Sequence, residues 1–353
     1  MTDDQQELVP GTVVSNSYEI IRKIARGGMG DVYEAQHMRL SQRRVAIKVL
    51  RQETVEKTSQ ASTRFRREAE ICAKLTHPNI VSVTDWNTLP DGRPFFVMEY
   101  LEGESLEARM ARRRLMTDEI EKVLRQVGSA VHTAHQLDIV HRDLKPSNIF
   151  LVSSAQAPLG PEFVKVLDFG ISKIVGANTL QTTGIKVLGS PRYMSPEQAR
   201  GRNEEITTKS DQFTLAVVAY ELYAGKPPFE ADTVDSLLFN IVYEEPPPLQ
   251  DMAPEMPRHV VDAINCAMTK APQDRYPSMR NFLRDLLQDD VYLGVSSRSS
   301  EAPTLQVGAG LSHTTLRRVA GLMKTVLPMV VIGIAGVLLA TLALDTGDEP
   351  SGQ

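Results

Sequence analysis

Asp143, Lys145 and Asn148 stand within one octapeptide, His141-Arg142-Asp143-Leu144-Lys145-Pro146-Ser147-Asn148. A carboxylate in such a loop can accept a hydrogen bond from a hydroxyl nucleophile and take its proton. A lysine two positions on can neutralise a group of negative charge in transit, and an asparagine oxygen suits a hard cation. Further along, Asp168-Phe169-Gly170 follows the apolar run 163–167, which puts a second carboxylate at a strand end. Nearer the N-terminus lies Ile24-Ala25-Arg26-Gly27-Gly28-Met29-Gly30-Asp31-Val32. Glycines at a strand turn let backbone N–H groups approach phosphate oxygens. Val45-Ala46-Ile47-Lys48 then places a lysine in an apolar strand, where an isolated charge is costly and needs a partner. Glu68, on the helical stretch 63–75, can supply one. Alone, a glycine-rich turn is common, and Lys48 could equally end a strand at the surface. The octapeptide is specific, and it gives the other three segments their meaning.

These groups need elements to hold them. Residues 18–24, 32–36 and 45–50 read as short strands, as do 80–85 and 94–100, the last two joined by a turn at Leu89-Pro90-Asp91-Gly92. Phe65, Ala69, Cys72 and Leu75 instead repeat at helical spacing. After Gly103 the pattern is helical over 105–113 and 119–136, with half a capping box at Thr117-x-x-Ile120. Further helices are expected at 211–224, 234–242, 258–270 and 278–287. The class is α+β: a β-rich lobe followed by a larger α-helical lobe.

The composition agrees with an ordinary globular chain. Of 353 residues, 42% are apolar and 24% charged, with a net charge of -5. Scattered basic residues give no nucleic-acid footprint, and the run Arg112–Arg114 reads as a solvated helix face. Cys72 and Cys266, the only cysteines, read as small buried apolar residues and form no disulfide framework. Residues 1–15 read as a disordered lead-in without a signal-peptide pattern. Residues 291–321, rich in Ser, Gly, Thr and Ala, read as a flexible linker. Residues 325–344 carry no charge and would span about 30 Å as a helix, the thickness of a bilayer core. Arg317, Arg318 and Lys324 precede that stretch, and Asp345, Asp348 and Glu349 follow it. The expectation is a single-pass cell-membrane helix with the preceding domain cytoplasmic and a short extracytoplasmic tail, 345–353. Gly336-x-x-x-Ala340 could allow two such helices to approach.

Together these segments resemble the eukaryotic-type, or Hanks-type, Ser/Thr protein kinases, and in detail their bacterial single-pass membrane-anchored members. The resemblance covers residues 18–290 and implies a bilobal fold with ATP between the lobes. It implies that Lys48 contacts the α- and β-phosphates with Glu68 as its partner. Ile24, Gly27, Gly28, Met29, Gly30, Val32, Ala46, Met98, Glu99 and Leu101 would surround the nucleotide. Met98 matches the gatekeeper, and backbone groups of Glu99 and Leu101 would bind adenine. Asp143 matches the catalytic aspartate, with Lys145 beside it. Asn148 and Asp168 match the ligands of Mg2+, for which Mn2+ could substitute. Glu197 in Ser195-Pro196-Glu197 would pair with Arg275, and Asp211 would brace the catalytic loop. Lys145 within D-L-K-P-S-N resembles the Ser/Thr-specific version, and Ser190 keeps a hydroxyl where a threonine is common. Ala25 departs from the pattern by replacing the loop's first glycine, and Asp31 is tolerable there if it faces water.

The implied reaction is transfer of the ATP γ-phosphoryl group to Ser or Thr hydroxyls of protein substrates. Arg142 would dock a phosphate on Thr182 or Thr183 of the segment 168–197, which also holds Thr179. Membrane anchoring would favour autophosphorylation in trans within a homodimer. The rival readings are a pseudokinase scaffold, which usually lacks the equivalents of Lys48, Asp143 or Asp168, and a small-molecule phosphotransferase, which lacks the segment 189–197.

Overall fold

Alternating apolar and polar residues from Tyr18 onward form an antiparallel six-stranded sheet in the computed structural model, which describes residues 7–27, 30–40, 43–51, 66, 70, 73–153, 163–169 and 191–288. All described residues lie in one compact unit, Met1–Gly294. The strands are β1 (Val13–Val14), β2 (Tyr18–Arg26), β3 (Gly30–His37), β4 (Arg44–Leu50), β5 (Val83–Thr88) and β6 (Pro94–Glu99), in the order β1-β2-β3-β4-β6-β5. Successive strand residues face opposite sides. One side buries Tyr33, Ala35, Val45, Ile47, Val49, Phe95 and Val97 as the core of this lobe. The pairings Val32↔Lys48, Lys48↔Phe96 and Ala46↔Met98 put Val32, Ala46, Lys48 and Met98 together on the other side.

The expected disorder of residues 1–15 is corrected from residue 7 onward. Val14 is buried, Leu8 packs on the same core, and Gly11 N–H donates to the Ile20 carbonyl while Ile20 N–H donates to that of Thr12. The polar composition of this segment concealed two apolar side chains spaced to reach the sheet.

The second lobe starts with β7 (Gly103–Ser105), which pairs with β8 (Ile149–Val152), which pairs with β9 (Phe163–Val166). Its helices are α1 (Leu106–Arg112), α2 (Thr117–His135), α3 (Pro196–Ala199), α4 (Thr208–Ala224), α5 (Val234–Tyr243), α6 (Leu249–Met252), α7 (Arg258–Ala267) and α8 (Met279–Leu287). Every residue of α4 from Ser210 to Tyr223 is buried, so this helix is the centre of the lobe rather than an amphipathic wall. Thr207 caps its start and Gly225, at φ +76°, ends it. Helix α2 lays Ile120, Val123, Leu124, Val127 and Val131 against the same core. Its cap is set one residue earlier than expected, because Met116 N–H donates to the Glu119 carboxylate at 2.8 Å.

The run Arg112–Arg114 is not one solvated helix face. Helix α1 ends at Arg112, Arg113 grips Glu119 through two hydrogen bonds of 2.6 and 2.7 Å, and Arg114 donates to the Tyr223 carbonyl. Cys266 is only half-buried. Among the described residues no helix is long and apolar enough to cross a membrane. The span expected at 325–344, the linker 291–321, the tail 345–353 and Cys72 lie outside the described residues.

Candidate active site

The octapeptide is held from below by α4. Asp211, 1% exposed, accepts hydrogen bonds from the backbone N–H groups of His141 (2.8 Å) and Arg142 (2.9 Å) and from the His135 ring at 2.7 Å. Burial pushes the Asp211 carboxyl upward, but His135, His141 and these donors outweigh it and hold it below the usual carboxylate range. Arg142 takes the left-handed conformation, φ +65°, and Gln198 donates to its carbonyl at 2.7 Å. That backbone is costly for a residue with a side chain and persists because both of its peptide groups are gripped.

His141 is fully buried, and burial lowers its ring basicity despite nearby Asp211 and Asp143. Its Nε2–H donates to the Leu167 carbonyl at 3.1 Å, which leaves Nδ1 to accept from Asp143 N–H at 3.3 Å. The ring also rests on Phe169 with centroids 4.6 Å apart. One imidazole thereby links the Asp143 loop to the segment carrying Asp168, and Leu167 N–H to the Asn148 carbonyl, 2.8 Å, is a second link.

The sequence-predicted residues then form two groups. Asp143 Oδ2 receives Lys145 Nζ at 2.7 Å and Asn148 Nδ2 at 3.1 Å, and Nδ2 also donates to the Asp143 carbonyl at 2.8 Å. Lys48 Nζ meets Asp168 Oδ1 at 2.7 Å, with Asp168 at φ +45° and its side chain 40% exposed. Because the amide nitrogen of Asn148 is committed to Asp143, its Oδ1 points the other way, as a hard oxygen donor. That oxygen and the Asp168 carboxylate fit a small divalent cation that takes one or two carboxylates together with phosphate oxygens. Among the described residues no cluster of three or more His, Cys, Asp or Glu gathers to hold a metal alone.

The glycine loop closes through Gly27 N–H to the Gly30 carbonyl, 2.8 Å, and Arg51 donates to the Gly27 carbonyl. A Cβ on Gly30 would collide with the Val49 carbonyl, so this glycine is demanded by the β3–β4 approach itself. Asp31 does not face open water: its side chain is 13% exposed and pairs with Lys23 at 3.1 Å. Ile24 lies at the register shift between Lys23 and Ala25 and is 37% exposed. Met98 and Leu101 are half-buried at the lobe junction. Glu99 N–H is taken by the Ser82 carbonyl, which leaves its own carbonyl as the group to offer an amine. Glu68, Gly28, Met29, Ser190, Thr179, Thr182 and Thr183 lie outside the described residues.

Below the site, Glu197 and Arg275, 1% and 0% exposed, join through hydrogen bonds of 2.9 and 3.0 Å, and Ser210 Oγ donates to Glu197 at 2.6 Å. Sequence reasoning missed His135, Gln198 and Lys165. Lys165 carried a signal, since it interrupts an apolar strand as Lys48 does.

A protein kinase domain model matches residues 18–300. The chain is 38% identical over 295 residues to serine/threonine-protein kinase Pkn1 of Myxococcus xanthus, an alignment covering 82% of this chain and 41% of Pkn1. It is 39% identical over 273 residues to serine/threonine-protein kinase PknA of Mycobacterium tuberculosis, covering 76% of this chain and 60% of PknA. The chain thus spans about half the length of the curated relatives it matches. Among solved structures, a point mutant of the PknI kinase domain of M. tuberculosis superposes with a TM-score of 0.61 at 28% identity, covering 80% of this chain and 99% of that one.

Proposed function

The chain belongs to the protein kinase family, and from that premise we propose that it transfers the γ-phosphoryl group of ATP to Ser or Thr hydroxyls of proteins. One observation carries the reading: the Asp143 carboxylate is held by Lys145 and Asn148 in a loop braced by Asp211. A magnesium ion bound with ATP would supply charge neutralisation at the phosphates, and Mn2+ has the same preference for oxygen. Asn148 Oδ1 and the Asp168 carboxylate would hold it. Asp143 would orient the acceptor hydroxyl and receive its proton, while Lys145 would neutralise charge on the group in flight. Lys48 would steady the α- and β-phosphates. Val32, Ala46 and Met98 form the apolar side of the adenine site, with the Glu99 carbonyl and Leu101 N–H as its polar edge. Asp143→Ala or Lys48→Met should lower turnover at least ~100-fold with the fold intact. Near-full transfer by either variant would overturn the roles given to these two residues, whereas a wild-type chain that transfers nothing would turn the reading toward a scaffold. Lys48, Asp143 and Asp168 are all present and all engaged, which supports the enzyme.

Phosphorylation of Thr182 or Thr183 in trans, read by Arg142, extends this proposal. Phosphopeptide mapping after incubation with Mg-ATP tests it, and an active enzyme without phosphate on residues 168–197 refutes it. Anchoring through residues 325–344, with the kinase domain on the cytoplasmic side, rests on that uncharged stretch and the basic residues before it. Fractionation of a chain truncated after residue 290 tests the anchor; persistence in the membrane pellet would count against it.

A further inference from the structure

Lys165 lies on β9, in the second lobe, at a position flanked by Val164 and Val166, and is 9% exposed. A lysine in an apolar strand must find oxygen partners. Its ammonium donates to the Ile80 carbonyl at 3.2 Å and to Glu99 Oε1 at 2.7 Å. The same Glu99 oxygen accepts Ser82 N–H at 2.8 Å, and Glu99 N–H returns to the Ser82 carbonyl at 3.1 Å. Ile80 and its neighbours are themselves bound to β9: Val81 N–H donates to the Val166 carbonyl, and Val166 N–H to that of Asn79. The segment 79–82 that leads into β5 is therefore fastened to the second lobe, and Glu99, the last residue of β6, is fastened to that segment through Ser82.

We propose that Lys165 is a positioning residue for the nucleotide, fixing the strand-to-hinge junction at Glu99 so that the Glu99 carbonyl and Leu101 N–H are set before adenine arrives. This deepens the kinase reading and rests on it for the identity of the ligand. The Glu99 side chain is 30% exposed. Without the ammonium its carboxylate keeps only Ser82 N–H and turns toward water, carrying the junction backbone with it. Nucleotide binding then has to restore the lost order. The groups around Asp143 are held through Asp211 and stay in place, so binding weakens while the transfer step does not.

The test uses the full chain, with initial rates against ATP concentration on a generic protein acceptor and calorimetric titration with Mg-ADP. Lys165→Met should raise KM for ATP and Kd for Mg-ADP by about 10-fold, the size of one lost charge-assisted hydrogen bond. Its kcat should stay within about twofold. Lys165→Arg should recover most of the affinity, because the guanidinium can still reach Glu99. A Lys165→Met chain with unchanged KM and Kd, or one that loses kcat and melting temperature instead, overturns the proposal. A wild-type chain that binds Mg-ADP without transferring phosphate would remove the kinase reading, while the Kd comparison would still decide the role of Lys165.

Discussion

Asp211→Asn isolates the brace beneath the catalytic loop with almost no change of shape. In the native chain Oδ1 accepts from Arg142 N–H, and Oδ2 accepts from His141 N–H and the His135 ring. An asparagine offers one oxygen and one NH2. If the oxygen stays with His141 and His135, the NH2 faces Arg142 N–H, donor against donor, in a site 1% exposed. The loss of a hydrogen bond to a charged acceptor is worth about 1.5–3 kcal/mol. Of the two backbone grips on Arg142, at φ +65°, the Gln198 contact to its carbonyl then remains, and the strain of about 1–3 kcal/mol favours relaxation. The expected destabilisation is about 2–4 kcal/mol in urea unfolding. Relaxation at Arg142 moves the next residue, Asp143, and a misplacement of roughly 1 Å costs up to about 100-fold in rate. Turnover at saturating ATP should therefore fall about 10–100-fold. KM for ATP should change less than about threefold, because Lys48 and Glu99 do not depend on this brace. The assay is transfer of labelled phosphate to a protein acceptor across an ATP series. A folded Asp211→Asn chain retaining more than half of wild-type turnover would show that the loop holds its geometry without α4.

Glu197→Ala leaves the Arg275 guanidinium charged at 0% exposure and should cost about 3–5 kcal/mol in urea unfolding. Adding Arg275→Met should return much of that loss, and no recovery would contradict an uncompensated charge as the cause. Burial pushes Glu197 upward, but Arg275 and Ser210 hold it below the carboxylate value of 4.5. Its contribution is thus present above about pH 4.5 and lost as pH falls through the lowered value, so Glu197→Gln should flatten the acid limb of stability against pH. Gly30→Ala should push β3 from β4 at the Val49 carbonyl and lower stability by about 1–3 kcal/mol with weaker Mg-ADP binding, read by thermal melting and calorimetry.

The local order of chemistry was legible because each signature is a short run whose residues act on one another: Asp143, Lys145 and Asn148 meet within a single loop. The longer strands and helices were legible for the same reason, since their period is local, and among the described residues their ends fall within a few residues of those expected. The short β1, β7, β8, α3 and α6 carried too little period to be read, and most of the helix expected at 63–75 lies outside the described residues. Contacts between distant segments were legible only where a family resemblance named both partners, as for Glu197 with Arg275 and Asp211 with its loop. His135 and Gln198 reach the octapeptide across the fold, and nothing in their neighbours marks them. Asp31 shows the limit in the opposite direction: its place beside a glycine loop suggested a water-facing carboxylate, whereas Lys23, opposite Tyr33 in the β2–β3 ladder, comes within 3.1 Å of it. Lys165 falls between these cases. A charge in the run Phe163-Val164-Lys165-Val166 must be satisfied once the strand is buried, so the need for a partner follows from sequence, while Glu99 as that partner follows only from the fold. A buried charge in an apolar run is therefore a stronger pointer to a working contact than an exposed cluster. Its cost is fixed locally, and only a specific partner elsewhere in the chain can offset it.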